Sequence, residues 1–308
     1  MVDKAPDLPS TSLLIRKAFI LVLFTVYQYA RNRCTDQAEL SIYKENGHEN
    51  LPTIYAITPT YARPEQKAEL TRLSHVFTLV PNLYWIIVED ADEKTSLVEN
   101  LLAKAGLTIR STKLHVKTPP AYVTPKTAPY WVQPRGVKQR NAGLSWLRSY
   151  TDPDERSIVY FMDDDNTYSV DLFTEMSKTQ PGRVSVWPVG LAGTLLVERP
   201  ILNAKKTEVI GFNSVWSPER PFPIDMAAFA ISKDLLFQHP EARFSYNAQL
   251  GYQETEILKN LVTPRELQPL ATESEDVLVW HTRTEKTVLT GEDDLKKKGE
   301  RSDEGLEV

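Results

Sequence analysis

The stretch Ile158-Val-Tyr-Phe-Met-Asp-Asp-Asp-Asn166 decides the reading of this chain. Ile158 to Met162 are all apolar, and Asp163, Asp164 and Asp165 follow at once. A short apolar run rich in β-branched and aromatic residues reads as a strand covered on both faces. In open α/β sheets, ligands bind beyond the carboxyl ends of such strands. Three adjacent carboxylates repel one another and raise one another's pKa, a cost that a hard divalent cation removes. In isolation, an Asp triplet reads as an exposed acidic turn or a helix cap. Directly after a buried strand it reads as a site for Mg²⁺ or Mn²⁺, with one or two of the three on the ion and another free to reach substrate hydroxyls.

Two more runs have the same construction. Thr53 to Ile57 leads into Thr58-Pro-Thr-Tyr-Ala-Arg63, and Leu83 to Val88 leads into Glu89-Asp90. Strand-like and helix-like segments alternate from Leu51 onward, the pattern of an α/β fold. The three strand-end loops are therefore expected to converge. Arg135-Gly-Val-Lys-Gln-Arg140 opens a helical pattern carrying Leu144 and Leu147, so its arginines add to the positive end of a helix dipole. Read alone, they also fit a solvated helix face. Val277 to Trp280 reads as a strand delivering His281 and Arg283, groups suited to a phosphate or, for the histidine, a metal. A lone histidine is more often structural. Arg220-Pro-Phe-Pro-Ile-Asp225, with Trp216 just before it, is stiffened by two prolines. It reads as a sugar-binding loop or as a structural loop with a surface ion pair.

The 308 residues carry a formal net charge of −5, which gives no reason to expect nucleic acid as a partner. The one cysteine, Cys34, excludes an intrachain disulfide and a Cys-based zinc site, leaving an unpaired thiol or a cross-link between chains. Ala18 to Ala30 is uncharged and mostly apolar, and Leu13, Leu14 and Ile15 extend it toward a full membrane span. No clear small-x-small cleavage site follows it, which favours an uncleaved anchor over a signal peptide. The expected layout is a tail over 1–17, an anchor over 18–30, a stem over 31–51 and a catalytic domain over 52–308. Thr284 to Val308 is highly charged and reads as a surface tail.

The motifs above, together with Trp216-Ser-Pro-Glu-Arg-Pro-Phe-Pro-Ile-Asp-Met226, Gln253-Glu254 and Val279-Trp-His-Thr-Arg-Thr-Glu285, resemble the animal β1,3-glucuronyltransferases from about Pro52 to Glu285. The resemblance implies a GT-A type α/β fold, with a Rossmann-like donor half (52–170) and an acceptor half (171–308) around one mixed sheet. It implies that Tyr61 and Asp90 hold uracil, that Arg135 and Arg140 bind the nucleotide-sugar, and that His281 and Arg283 lie by the diphosphate. Asp165 is implied as the Mn²⁺ ligand, and Asp163 and Asp164 as contacts to the ribose and donor sugar. Glu198, Trp216, Arg220 and Asp225 fall on the acceptor side, with Glu254 as the catalytic base. The implied donor is UDP-glucuronic acid and the acceptor a galactose-ended glycan. That glycan is either the Gal-Gal-Xyl linker of proteoglycans, toward which the short stem leans, or a lactosamine end. A homodimer on the Golgi membrane, single-pass type II, is implied as well. A metal-dependent nucleotide-sugar hydrolase would use the same Asp cluster to activate water, and a non-catalytic lectin-like or chaperone protein would use the same fold. The presence of both Asp165 and Glu254 argues against the second.

Overall fold

The structure, a computed structural model, describes residues 51–125 and 133–308. β1 (Thr53–Thr60) is buried along its length, as its sequence predicts. It turns into α1 (Gln66–Leu79), whose Leu70, Leu73 and Phe77 face the sheet. β2 (Leu83–Glu89) is fully buried, and α2 (Ser96–Lys104) returns the chain to β3 (Ser111–His115). α3 (Val137–Tyr150) then leads to β4 (Ser157–Phe161). These four strands are parallel, in the order β4-β1-β2-β3. Their uninterrupted apolar runs follow from that arrangement, because crossover helices cover both faces of a parallel sheet. Phe77 of α1 stacks on Trp85 of β2 at 4.3 Å between centroids, and the Trp85 indole donates to Thr58 Oγ1 at 2.9 Å. On the other face α3 comes so close to β1 that a Cβ on Gly143 would sit 2.7 Å from Ile57 Cγ2.

The later chain builds differently. β5 (Thr167–Tyr168) is followed by α4 (Val170–Met176), β6 (Val184–Val186), β7 (Val189–Gly190), β8 (Val197–Leu202) and β9 (Val209–Asn213). β10 (Phe229–Ser232), α5 (Lys233–Gln238), α6 (Gln253–Leu258), β11 (Gln268–Pro269), β12 (Val279–Trp280) and the exposed α7 (Thr290–Lys297) complete it. β10 runs antiparallel to β4 and β6, which makes the main sheet mixed, with order β11-β6-β10-β4-β1-β2-β3. A second, five-stranded sheet, β5-β12-β7-β8-β9, stands beside the one mixed sheet that the resemblance implies. Its two-residue strands are too short to show a period in the sequence. Between β11 and β12, Ala271, Thr272, Glu273 and Ser274 form a left-handed turn, with φ of 57°, 50°, 55° and 63°.

No helix among the described residues is long and apolar enough to cross a membrane. The apolar run 18–30, the stem and Cys34 lie outside the described residues. In the charged tail, the Glu307 carbonyl accepts from Lys67 of α1 and its carboxylate accepts from Asn100 of α2 at 2.7 Å.

Candidate active site

Tyr61, Asp90, Arg135, Arg140, Asp163, Asp164 and Asp165 line one cavity of about 300 Å³ at the carboxyl ends of β1, β2 and β4. The strand-end convergence expected from the sequence is therefore present. The three aspartates are held in three different ways. Asp163 Oδ1 accepts from Arg140 at 2.5 Å, and its carbonyl accepts from the Tyr168 hydroxyl at 2.9 Å. Asp164 is buried, accepting from Thr60 Oγ1 at 2.7 Å and pairing with Arg63 at 2.8 Å. The Asp165 carbonyl is fixed by Thr282 Oγ1 at 2.7 Å and by Arg72 at 3.1 Å, whereas no donor among the described residues reaches its carboxylate. Burial, and then the charges of Asp163 and Asp164, push the Asp165 carboxyl up to about 6. A cation beside the carboxylate would remove that cost.

Arg140 is buried and its charge is committed to the wall. It donates to the Arg135 carbonyl at 2.9 Å and to Asp163, and lies 5.7 Å over the Phe244 ring. It therefore positions Asp163, while Arg135 remains exposed at the rim. Gly136 opens α3 with φ of 69°, and a Cβ there would sit 2.5 Å from an Arg140 nitrogen. Glycine at that position is what lets the guanidinium fold back.

The residues expected on the acceptor side form a second group, joined to the first through charge. Glu254 stands in the first turn of α6, and burial pushes its carboxyl up to about 7 against the pull of Arg220. Arg220 Nη1 lies 3.7 Å from Glu254 Oε2 and donates to the Gly251 carbonyl at 2.7 Å. The same guanidinium covers the Trp216 ring at 4.5 Å, leaving Trp216 40% exposed, a face on which a sugar ring can stack. Asp225 caps a short helical turn by accepting from Ala227 N at 2.9 Å, and its other oxygen lies 3.1 Å from His281 Nδ1. Burial would raise the Asp225 carboxyl, but the close contact with His281 and its charge hold it below the usual range. The same Asp225 contact raises His281 to about 9, so the ring is positively charged at neutral pH. Glu198 is buried, which raises its carboxyl, and it accepts from Ser214 Oγ at 2.5 Å. The Arg140 charge is felt at both Glu254 and Asp225, and that of Asp163 at His281, so the two groups are electrostatic neighbours. Arg283 is exposed, beside His281.

A family model described as Glycosyltransferase family 43 matches residues 73–285. The chain is also 57% identical over 300 residues to a Drosophila melanogaster protein, galactosylgalactosylxylosylprotein 3-beta-glucuronosyltransferase I, covering 97% of this chain and 98% of that one. The chain belongs to glycosyltransferase family 43. Mus musculus galactosylgalactosylxylosylprotein 3-beta-glucuronosyltransferase 3 is 49% identical over 270 residues, covering 84% of this chain and 79% of that one. Its paralogue numbered 2 is 49% identical over 245 residues, covering 79% and 72%. This glycosyltransferase has the GT-A arrangement expected of it, a parallel half continued by antiparallel strands.

Several residues of the glycosyltransferase site escaped the sequence reading. Arg63 ties Asp164 to the buried Glu69 and lies 4.5 Å over the Tyr61 ring. Thr118 donates to both oxygens of Asp90. Tyr122 stacks on Tyr246 at 3.9 Å. Arg63 lies in a motif already singled out, so its signal was present. Thr118, Tyr122 and Tyr246 sit in irregular segments with no local pattern.

Proposed function

We propose that this glycosyltransferase transfers glucuronic acid from UDP-glucuronic acid, in β1,3 linkage and with inversion, to the terminal galactose of the Gal-Gal-Xyl linker. The names of its relatives support the substrate class. The observation that carries the chemistry is Glu254, a largely covered carboxyl, 15% exposed, raised to about 7 beside Arg220. Burial in a poorly solvated site is how proteins bring a carboxyl near the operating pH for base catalysis. An α-linked donor and a β-linked product call for a single displacement, with a base on the acceptor side. Glu254 takes the proton from the attacking hydroxyl. Trp216 and Arg220 hold the acceptor sugar, with Glu198 and Asp225. His281, kept protonated by Asp225, presents a fixed positive charge toward the departing diphosphate.

The donor set suits manganese. Asp165 offers a carboxylate that receives no hydrogen bond from the described residues. No three such side chains among those residues form a cage of their own. One or two carboxylates with substrate phosphates and water is a common way to hold a small hard cation. When bound, the ion neutralises charge on the leaving UDP. Arg140 keeps Asp163 in place, and Arg63 keeps Asp164. The apolar run 18–30 supports a membrane anchor, and the family resemblance supports a type II orientation in the Golgi membrane, with 52–308 in the lumen, and a homodimer.

The test is product analysis with UDP-glucuronic acid, Mn²⁺ and either Gal-Gal-Xyl or a lactosamine-ended acceptor. The expected result is a new β-linked glucuronyl-galactose bond on Gal-Gal-Xyl, abolished by chelator. Free glucuronic acid and UDP with no glycosidic product would make the protein a hydrolase. Transfer to lactosamine alone would overturn the acceptor assignment.

A further inference from the structure

The base end of the donor cavity contains a hydrogen-bond chain with a fixed direction. Gln139, in the first turn of α3, is 1% exposed. Its amide nitrogen donates to the Val116 carbonyl at 2.8 Å and reaches Thr118 Oγ1 at 3.3 Å. A carbonyl only accepts, so Val116 fixes which end of the Gln139 amide is the nitrogen. Thr118 Oγ1 thus receives a hydrogen from Gln139 and has one left to give. It gives that hydrogen to Asp90 Oδ2 at 2.6 Å, while Thr118 N donates to Asp90 Oδ1 at 2.7 Å. Asp90 is itself pinned at the end of β2, where its backbone nitrogen donates to the Thr60 carbonyl at 2.8 Å. Both carboxylate oxygens are gripped from one side, and Asp90 lines the cavity with Thr118 and Gln139. The remaining lone pairs of Asp90 only accept, and they face a fixed direction.

We infer that Thr118, held by Gln139, is a specificity-determining positioning residue, which makes the pocket select a base with a ring N–H donor over one with a ring acceptor. This rests on the reading that Asp90 contacts the base. Uracil presents N3–H, which a fixed carboxylate accepts. Cytosine presents a bare N3 lone pair at the same place, and two acceptors facing each other leave both unpaired. A carboxylate free to swing would find the cytosine exocyclic amine, which is a donor. The threonine grip removes that option. Thr118 touches neither nucleotide nor reacting atoms in this account. It acts through Asp90.

The experiment measures affinities of UDP and CDP by calorimetry, with full-length protein in detergent and excess MnCl₂. The diphosphate and ribose contacts are common to both ligands, so the CDP/UDP ratio of Kd isolates the base. A hydrogen bond to a charged group corresponds to roughly 10- to 100-fold in Kd, and the wild-type ratio is expected to be of that size or larger. Thr118→Val keeps the shape and removes the hydroxyl. It should cut the ratio about 10-fold, chiefly by strengthening CDP, and Thr118→Ser should restore it. Gln139→Met, which removes the donor behind Thr118, should cut the ratio less, and it carries the test if Thr118→Val does not fold. Asp90→Asn should bring the ratio near one, because an amide can present either end. If Asp90→Asn collapses the ratio while Thr118→Val and Gln139→Met leave it at the wild-type value, the inference is overturned and Asp90 still reads the base. An equal weakening of UDP and CDP in Thr118→Val is the same negative outcome. If Asp90→Asn leaves the ratio unchanged, Asp90 does not contact the base, and both readings fall together.

Discussion

On the donor side, Asp163 to Asp165 follow a strand whose five residues are all buried, and the neighbouring loops hang from two more strands of the same kind. On the acceptor side, Glu254 opens a six-residue helix, and its neighbours Trp216, Arg220 and Asp225 come from a proline-stiffened loop. The donor residues are placed by backbone register, and single side-chain partners then orient their carboxylates. The acceptor residues are fixed by one another, through Arg220 to Glu254 and Gly251, and through Asp225 to His281. A sheet fixes where the backbone of a carboxylate residue stands even when its side-chain partners change, whereas a loop-borne side-chain network moves when any member is changed. Damage on the donor side should therefore stay local, and damage on the acceptor side should spread.

Asp165→Asn probes the donor side at its centre and should have the largest effect. Loss of a metal ligand at the leaving group forfeits several kcal/mol of transition-state stabilisation, on the order of 10³-fold or more in kcat/KM. The melting temperature should not fall, because burial of the Asp165 charge is a cost in the metal-free protein. Full Mn²⁺-dependent activity in this variant would remove the metal assignment.

Glu254→Gln comes next, with kcat down by about 10²- to 10⁴-fold and UDP binding unchanged. The wild-type rate should decline as pH falls below about 7, where the buried carboxyl protonates. The variant should lack that limb. Stability gives an independent check with a definite sign. The Glu254 pKa is raised on folding, so its contribution to stability is greatest below the usual glutamate range and is lost as pH rises through about 7. At pH 8 the wild type has the cost of a buried charge, which the amide avoids, a gain of order 1–3 kcal/mol for the variant. The variant should melt higher than wild type at pH 8 and near it at pH 5. A lower melting temperature at pH 8 would make Glu254 a structural residue.

Two glycines compare the halves directly. A Cβ on Gly251, where φ is +74°, would sit 1.7 Å from Trp216 Cη2, so Gly251→Ala must displace the indole and with it Arg220. We expect acceptor KM to rise about 10-fold or more with UDP affinity unchanged, since every 1.4 kcal/mol is tenfold. Gly143→Ala crowds Ile57 beneath the donor side, and overpacking of this kind costs about 1–3 kcal/mol. It should lower the melting temperature and leave the KM of both substrates near wild type, the smallest functional effect of the set. If Gly143→Ala changed KM as much as Gly251→Ala, the contrast between the two sides would fail.

The same contrast explains what the sequence made legible. β1, β2 and β4 announced themselves because strands covered on both faces must be apolar throughout, and the polar break after each marked the site. The second sheet did not, because β5, β7 and β12 are two residues long. The role of Arg140 was legible only in part: its position at a helix start is in the sequence, but its turn inward to Asp163 depends on Gly136 and Phe244. Thr118 was out of reach, since nothing local in Thr118-Pro119-Pro120 says that a carboxylate from another loop will sit on it.

The left-handed turn from Ala271 to Ser274 bears on how this protein tolerates change. Side chains in that conformation cost roughly 1–2 kcal/mol per residue, and glycine would relieve it. The chain runs from this turn through β12 directly to His281. Random mutagenesis selected for heat resistance should therefore be drawn to glycine at Thr272 and Glu273. Each such gain would slacken the lead-in to His281, the histidine held by Asp225. Libraries screened only for thermal survival would accumulate robust but slower enzymes, with the fault lying in a surface turn far along the chain from the acidic triplet.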